Sequence, residues 1–282
     1  MTGSVRVGVL GSLTVRVGAR PQEAPRAEVV RGLLGVLLLA GREPLSVERL
    51  ISVVWDDRAG HTRPASVHVA VTRLRAWLDE VGLAAEVGRE GCGYRLVHEF
   101  DLDLDRLAEP GAAEEPAAER CLRLAAALDR YRGPVLADVI RLGRSDPLVL
   151  GAEKLVLRRC LELADVAEAT GRPELGIGPL ETYTACDPYE EMVQARLVEL
   201  LAAAGRPEAA LARYEQARAL LRAELGVPPC PRLRRAAARD AACGLLPGPR
   251  RHPAAPRPTH PGHPCRAARQ PRAALTISAG RL

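Results

Sequence analysis

The residues best suited to chemistry on an anionic partner lie between Thr62 and Leu78. Arg73 and Arg75 stand two apart, with His68 and Thr72 close by, and no acidic residue intervenes before Asp79. A guanidinium fork can bond both acceptors of a guanine edge, or a phosphate. Imidazole and hydroxyl groups beside it suit phosphate oxygens. A solvated helix face ordinarily mixes Glu with Arg; this one is purely basic. Catalytic constellations are absent by comparison. There is no Walker A loop, no GxGxxG after a strand, no HExxH and no GxSxG. Gly8-Val9-Leu10-Gly11 is followed by no Lys-Ser/Thr and leads into a strand. The paired acids Asp56 and Asp57 have His61 as their one histidine neighbour and read as a solvated loop. Cys92, near Arg89, reads as a bystander thiol. No enzymatic activity, cofactor or metal site is expected.

A helix must position these groups. Pro64 fits a first helical position. Val67, Val71, Leu74 and Leu78 follow at i, i+4, i+7 and i+11, one apolar seam that predicts a buried face. The opposite face carries Ala65, Val69, Thr72, Arg73 and Ala76, flanked by His68 and Arg75. Small residues there would let the helix approach a groove closely. Upstream, Val5–Leu10 and Leu13–Val17 read as strands split by Gly11-Ser12, and 18–25 as a loop. Arg26–Ala40 reads as a core helix stopped by Gly41. Ser46 reads as the N-cap of a second helix that buries Leu50, Ile51, Val53, Val54 and Trp55. Downstream, Glu86–Val87 and Tyr94–Val97 read as strands around a turn from Arg89 to Gly93. Strands, three helices and a terminal hairpin are the layout of a winged helix, whose third helix enters the major groove.

The 282 residues suggest two domains. Aromatics are only 3%, so a core must be built from Leu, Val and Ala, which favours helices. The net charge of +5 is unevenly placed. Residues 1–97 hold 13 Arg against 10 acids, residues 98–246 hold 20 basic against 25 acidic residues, and residues 247–282 hold 7 Arg and no acid. The basic balance therefore comes mainly from the tail, and the placement of arginines says more than the total. Seven cysteines without CxxC spacing suggest reduced thiols, and no segment is long and apolar enough to span a bilayer or form a leader. A cytoplasmic, nucleoid-associated protein without membrane contact is expected.

The second half reads as helical. Glu119–Tyr131 and Leu148–Thr170 carry helical periods, and 110–116 reads as a loop. Gly171-Arg172-Pro173-Glu174-Leu175 recurs as Gly205-Arg206-Pro207-Glu208-Ala209, 34 residues on, the period of tetratricopeptide repeats. Gly176, Gly178 and Pro179 are expected to interrupt the first copy's second helix. A last helix is expected over 233–243. From 247 onward, seven prolines by Pro264 and no apolar period predict a disordered tail. The expected divisions are thus 1–98, 99–246 and 247–282.

The blocks Val7–Leu13, Arg31–Leu34, Leu45–Ile51, Val54-Trp55, Val71–Arg75 and Gly93–Leu96 together resemble the SARP family of actinomycete antibiotic regulators, whose N-terminal half is an OmpR-type winged helix. Asp101–Leu104, Tyr131-Arg132-Gly133-Pro134 with Ala137-Asp138, and Glu224–Val227 resemble that family's bacterial transcriptional activation domain. The absence of receiver and ATPase domains matches the family's small members. The resemblance implies a mainly α protein with a small β component. It would activate transcription of a secondary-metabolite gene cluster by binding direct repeats of double-stranded DNA near a −35 element, beside a second copy of itself, and recruiting RNA polymerase holoenzyme. Carried over by position, Arg73, Val69 and Ala70 would face bases, and Thr72, Arg75 and His68 would face phosphates. The wing would present Arg89, Glu90 and Tyr94, and the loop Trp55, Asp56, Asp57 and Arg58 would face polymerase. One departure stands out: where the family has an arginine four residues before the wing tyrosine, this chain has Glu90. Two rival readings stay open on sequence alone, a ligand-gated repressor and a repeat adaptor that binds no DNA.

Overall fold

The computed structural model describes residues 5–55, 64–139 and 142–243, with side chains through residue 238. Val5–Gly8 (β1) and Thr14–Val17 (β2) pair antiparallel with Val7 opposite Val15, and their alternation buries both valines on one face. Arg20–Gln22 (β3) extends this sheet, although 18–25 reads as a loop. Arg-Pro-Gln offers no apolar alternation, and an edge strand tolerates Pro21, which donates nothing to the ladder. On the far edge Asp101–Leu102 (β7) runs parallel to β1, giving the order β3-β2-β1-β7.

Glu28–Ala40 (α1) is the central helix; Val30, Leu33, Leu34, Val36, Leu37 and Leu38 are buried, and Gly41 ends it at φ 61°. Val47–Val54 (α2) begins at Ser46, whose Oγ accepts the Arg49 N–H. Leu50, Val53 and Val54 face the core, while Ile51 and Trp55 are only half-buried, a narrower face than expected. Pro64–Val81 (α3) follows, and its apolar seam is fully buried. Ala85–Glu90 (β5) and Gly93–His98 (β6) form the hairpin, with Leu45–Ser46 (β4) on the far side of β6. The strands are longer than expected and the turn shrinks to Gly91-Cys92. Gly91 sits at φ 56°, as a two-residue hairpin turn requires. Gly93 belongs to the strand instead: a Cβ there would overlap the Leu45 carbonyl of β4.

The rest of the described chain is helical: Asp103–Ala108 (α4), Ala117–Leu128 (α5), Pro147–Ala169 (α6), Glu174–Cys186 (α7), Glu191–Ala203 (α8), Pro207–Leu220 (α9), and Pro231–Cys243 (α10). A π-helical turn, Leu221–Leu225, prolongs α9. The 34-residue repeat has a structural meaning. Gly171 at φ 65° and Gly205 at φ 72° end α6 and α8 in the same left-handed cap. Arg172 N–H bonds Ala167 O and Arg206 N–H bonds Leu201 O; Gly171 N–H bonds Glu168 O and Gly205 N–H bonds Ala202 O. Donors and acceptors alike are 34 residues apart, so α6–α7 and α8–α9 are two copies of one hairpin. The expected interruption at Pro179 does not occur: α7 runs through it. An interior proline costs about 3 kcal/mol, which burial offsets here, since Leu180 is fully buried and Gly176 lies against Leu200 and Ala164.

The two halves are joined by polar and apolar contacts. Asp103, 3% exposed, accepts the Val9 N–H at 2.8 Å and the Leu10 N–H at 3.1 Å. Arg132 N–H returns to Leu10 O, Leu136 N–H to Val9 O, and Leu13 N–H to the Asp138 carboxylate at 2.7 Å. The Arg-Gly-Pro and Ala-Asp blocks thus clasp the β1–β2 turn. Leu136, Val139 and Leu142 close over Gly35 of α1, and Arg49 of α2 pairs at 2.6 Å with Asp146, the N-cap of α6. These contacts cross the position, residue 98, where the sequence suggests a division. Every described element lies in one compact unit, 1–246; the expected tail, 247–282, lies outside the described residues. Among the described residues no helix is long and apolar enough to cross a membrane, and no group of three or more potential metal ligands occurs.

Candidate nucleic-acid interface

Helix α3 packs against α1 and α2 through Val67, Val71, Leu74 and Leu78. The helical period then turns Ala65, Val69, Thr72 and Ala76 outward in one row, spaced i, i+4, i+7 and i+11, all exposed. Val69 is 52% exposed, unusual for a branched apolar side chain on a helix whose seam is otherwise buried. Arg73 flanks this row on the side of α1, where it borders an open cleft with Ala27, Val30, Trp55, Ala65 and Val69. His68 and Arg75 flank it on the wing side.

Several expected site residues sit differently from the sequence reading. Ala70 is 4% exposed, so it faces the core rather than a groove floor. Its position beside Val67 and Leu74 on the helical wheel dictates this. Thr72 is exposed, but its Oγ1 donates to the His68 carbonyl one turn back at 3.0 Å, as Thr does on helices. Its hydroxyl proton is therefore committed within the helix. Arg75 donates through Nε and one Nη to the Val87 carbonyl of β5 at 3.0 and 2.5 Å, which ties α3 to the wing. Tyr94 is buried beneath the hairpin, edge-on to His68 with ring centroids 6.2 Å apart. Trp55 is half-buried and ends α2; Asp56, Asp57 and Arg58 lie outside the described residues.

Register explains the wing. Arg89 pairs with Tyr94 and lies on the strand face shared with Val87 and Leu96, toward α3. Glu90 and Arg95 share the opposite face and form an ion pair at 2.9 Å. The departure at Glu90 thus leaves Arg89 as the arginine on the α3 side and occupies Arg95 from behind. The Glu90–Arg95 pair, the Asp103 clasp and the Arg49–Asp146 bond were not anticipated from sequence. For the clasp, the Arg-Gly-Pro and Ala-Asp spacing was the available signal.

The Arg75–Val87 bond predicts a stability effect. Arg75→Ala removes both donors to one carbonyl, so the folded state should lose about 1 kcal/mol. That corresponds to roughly 2–4 °C in melting temperature for a protein this size. An unchanged melt would mean that Arg75 does not hold the wing in solution.

Residues 97–239 match the family model described as the bacterial transcriptional activator domain. The chain is 31% identical over 250 residues to the transcriptional regulatory protein EmbR of Mycobacterium tuberculosis, an alignment covering 83% of this chain and 64% of EmbR. It is 30% identical over 247 residues to the transcriptional regulatory protein MoaR1 of Mycobacterium bovis, covering 82% of this chain and 78% of MoaR1. It is 32% identical over 246 residues to the regulatory protein AfsR of Streptomyces coelicolor, covering 82% of this chain and 24% of AfsR. The solved structure of M. tuberculosis EmbR in complex with a low-affinity phosphopeptide superimposes with a TM-score of 0.60 at 28% identity, over 85% of this chain and 65% of that one. The chain thus spans less than two thirds of the length of EmbR. With a winged helix packed on a matched activator domain, the chain belongs to the SARP family of transcriptional regulators.

Proposed function

We propose that this protein is a sequence-specific DNA-binding activator that acts without catalysis in the cytoplasm, on the nucleoid. Helix α3 enters the major groove, with Arg73 reading a guanine edge and His68 beside the phosphates. Arg89 leads the wing toward the adjacent backbone. The helical domain, packed against α1 and α2, engages RNA polymerase together with the α2–α3 loop. Two copies occupy direct repeats near a −35 element, in front of a secondary-metabolite gene cluster. The observation that carries this reading is the outer row of α3: four exposed small residues in line, flanked by basic groups on both sides, with the α3-facing arginine of the wing alongside.

The test is binding of the full-length protein to a duplex it selects from a random-sequence pool, and to a scrambled duplex, across a salt series. The proposal expects preference for the selected duplex and a log–log slope of about −0.9 for each phosphate neutralised. Enrichment of no sequence, or a flat slope, would contradict it.

The wing supplies a second expectation. Glu90→Gln frees Arg95 from its ion pair, so affinity for both duplexes should rise a few-fold at low salt. The slope should steepen by up to about 0.9, one further phosphate contact. An unchanged slope would show that Arg95 does not face DNA even when released.

A further inference from the structure

Resting on that reading, we infer that an open groove along α6 is where the activator domain takes hold of RNA polymerase, and that its occupant is an acidic helical segment bearing leucine-type side chains. The groove has a volume of about 630 Å³. Lys154, Leu157, Arg158, Leu161 and Asp165 line it, at i, i+3, i+4, i+7 and i+11 of one helix face. Charge within it is unbalanced. Arg120 of α5 is paired with Glu162, and Asp165 with Arg196 of α8 at 3.0 Å. Lys154 and Arg158 are exposed and have no hydrogen bond or ion pair among the described residues. They stand one turn apart, where like charges destabilise a helix and an opposing carboxylate relieves the repulsion. They do so in a region, 98–246, that is otherwise acidic, with 20 basic against 25 acidic residues.

Between and beyond the cations, Leu157 and Leu161 pack against the core yet are only half-buried. An apolar strip rimmed by charge is the pattern of a protein contact. A nucleic-acid strand fits worse, because Glu162 and Asp165 also line the groove and would oppose its phosphates. Lys154 to Asp165 span about 16 Å along the axis at 1.5 Å per residue, which matches about three turns of a partner helix.

Lys154 is the only lysine of the chain, which makes the contact directly traceable. A carbodiimide joins an amine to a carboxylate already in contact with it and inserts no spacer. The full-length protein, purified RNA polymerase holoenzyme and a template carrying the selected duplex upstream of a promoter are treated together, and the joined peptides are read by mass spectrometry. The expected product links Lys154 to an acidic, leucine-bearing stretch of a polymerase subunit. In parallel, Lys154→Glu combined with Arg158→Glu should bind the selected duplex and melt as the wild type does, because both sites are exposed and lie outside α3 and the hairpin. This variant should need roughly tenfold more polymerase for the same transcript yield, each exposed ion pair being worth up to about fivefold. Lys154→Arg combined with Arg158→Lys keeps both charges and should activate normally. A Lys154 link only to carboxylates of this chain, in the same or a second copy, would overturn the inference while activation stands. So would the absence of any Lys154 link, or full activation by the charge-reversed variant. If the wild type, bound to its selected duplex, does not raise transcription, the functional reading falls and this inference with it.

Discussion

Asp103→Ala is expected to destabilise the folded protein by about 3 kcal/mol, a substantial part of the ~5–15 kcal/mol that holds a typical domain together. Asp103 is buried and sits where the first helix of the activator domain begins. Its carboxylate accepts the N–H groups of Val9 and Leu10 at the end of β1, and Arg132 approaches it at 3.4 Å. Alanine leaves two buried N–H groups without an acceptor, each costing roughly 1–3 kcal/mol. The melting temperature should fall by roughly 6–12 °C. Asp105→Ala, two residues on and exposed, should shift it little. Burial holds the Asp103 carboxyl above the ordinary carboxylate range, against the Val9 and Leu10 N–H groups and Arg132, which lower it. Because the folded value is raised, this group favours folding most when protonated, and that contribution is lost as pH rises through the raised value. A melt of Asp103→Ala equal to the wild type would show that the clasp is not needed.

The same contacts bear on a shorter chain. A fragment ending at residue 98 keeps α3 and the wing but loses β7, Asp103, Asp138 and the Leu136–Leu142 cover over α1. Its first strand would have an open edge, and the turn from Gly8 to Leu13 would have unpaired backbone. Studies of DNA binding are therefore best done on the full-length protein.

Arg73→Ala should abolish most discrimination between selected and scrambled duplexes. A bidentate Arg–guanine contact is worth about 1–3 kcal/mol, or roughly 5- to 150-fold in the ratio of affinities. Arg73 is exposed on the outer side of α3, and no carboxylate among the described residues lies within ion-pair distance of it, so its loss should leave the melt unchanged. Arg75 differs, because its donors are already given to Val87. Two arginines that look equivalent in sequence thus separate into a candidate reader and a brace.

How much of this was visible in the residues depends on the kind of signal. The seam Val67–Leu78, the Ser46 cap, the Gly41 stop and the 34-residue offset are local or periodic, and the fold follows them. The side on which Arg89 and Glu90 project was not visible, because it depends on hairpin register, and the turn is two residues rather than five. Thr72 and Arg75 looked like phosphate contacts because residue type alone does not reveal an intramolecular acceptor. Ala70 was misplaced because an alanine carries no polarity to mark its face. The clasp between halves joins groups more than 90 residues apart, beyond any local period.

The central claim, that α3 lies in the major groove with Arg73 on a guanine, is tested most directly by 7-deazaguanine substitution. This change replaces the N7 acceptor by C–H and leaves base pairing intact. Each guanine of the selected duplex is substituted in turn and binding is measured for wild type and Arg73→Ala. The account predicts one guanine at which wild-type binding drops at least several-fold and the variant is indifferent. Wild-type binding insensitive to every substitution, or the same sensitivity in Arg73→Ala, would contradict it.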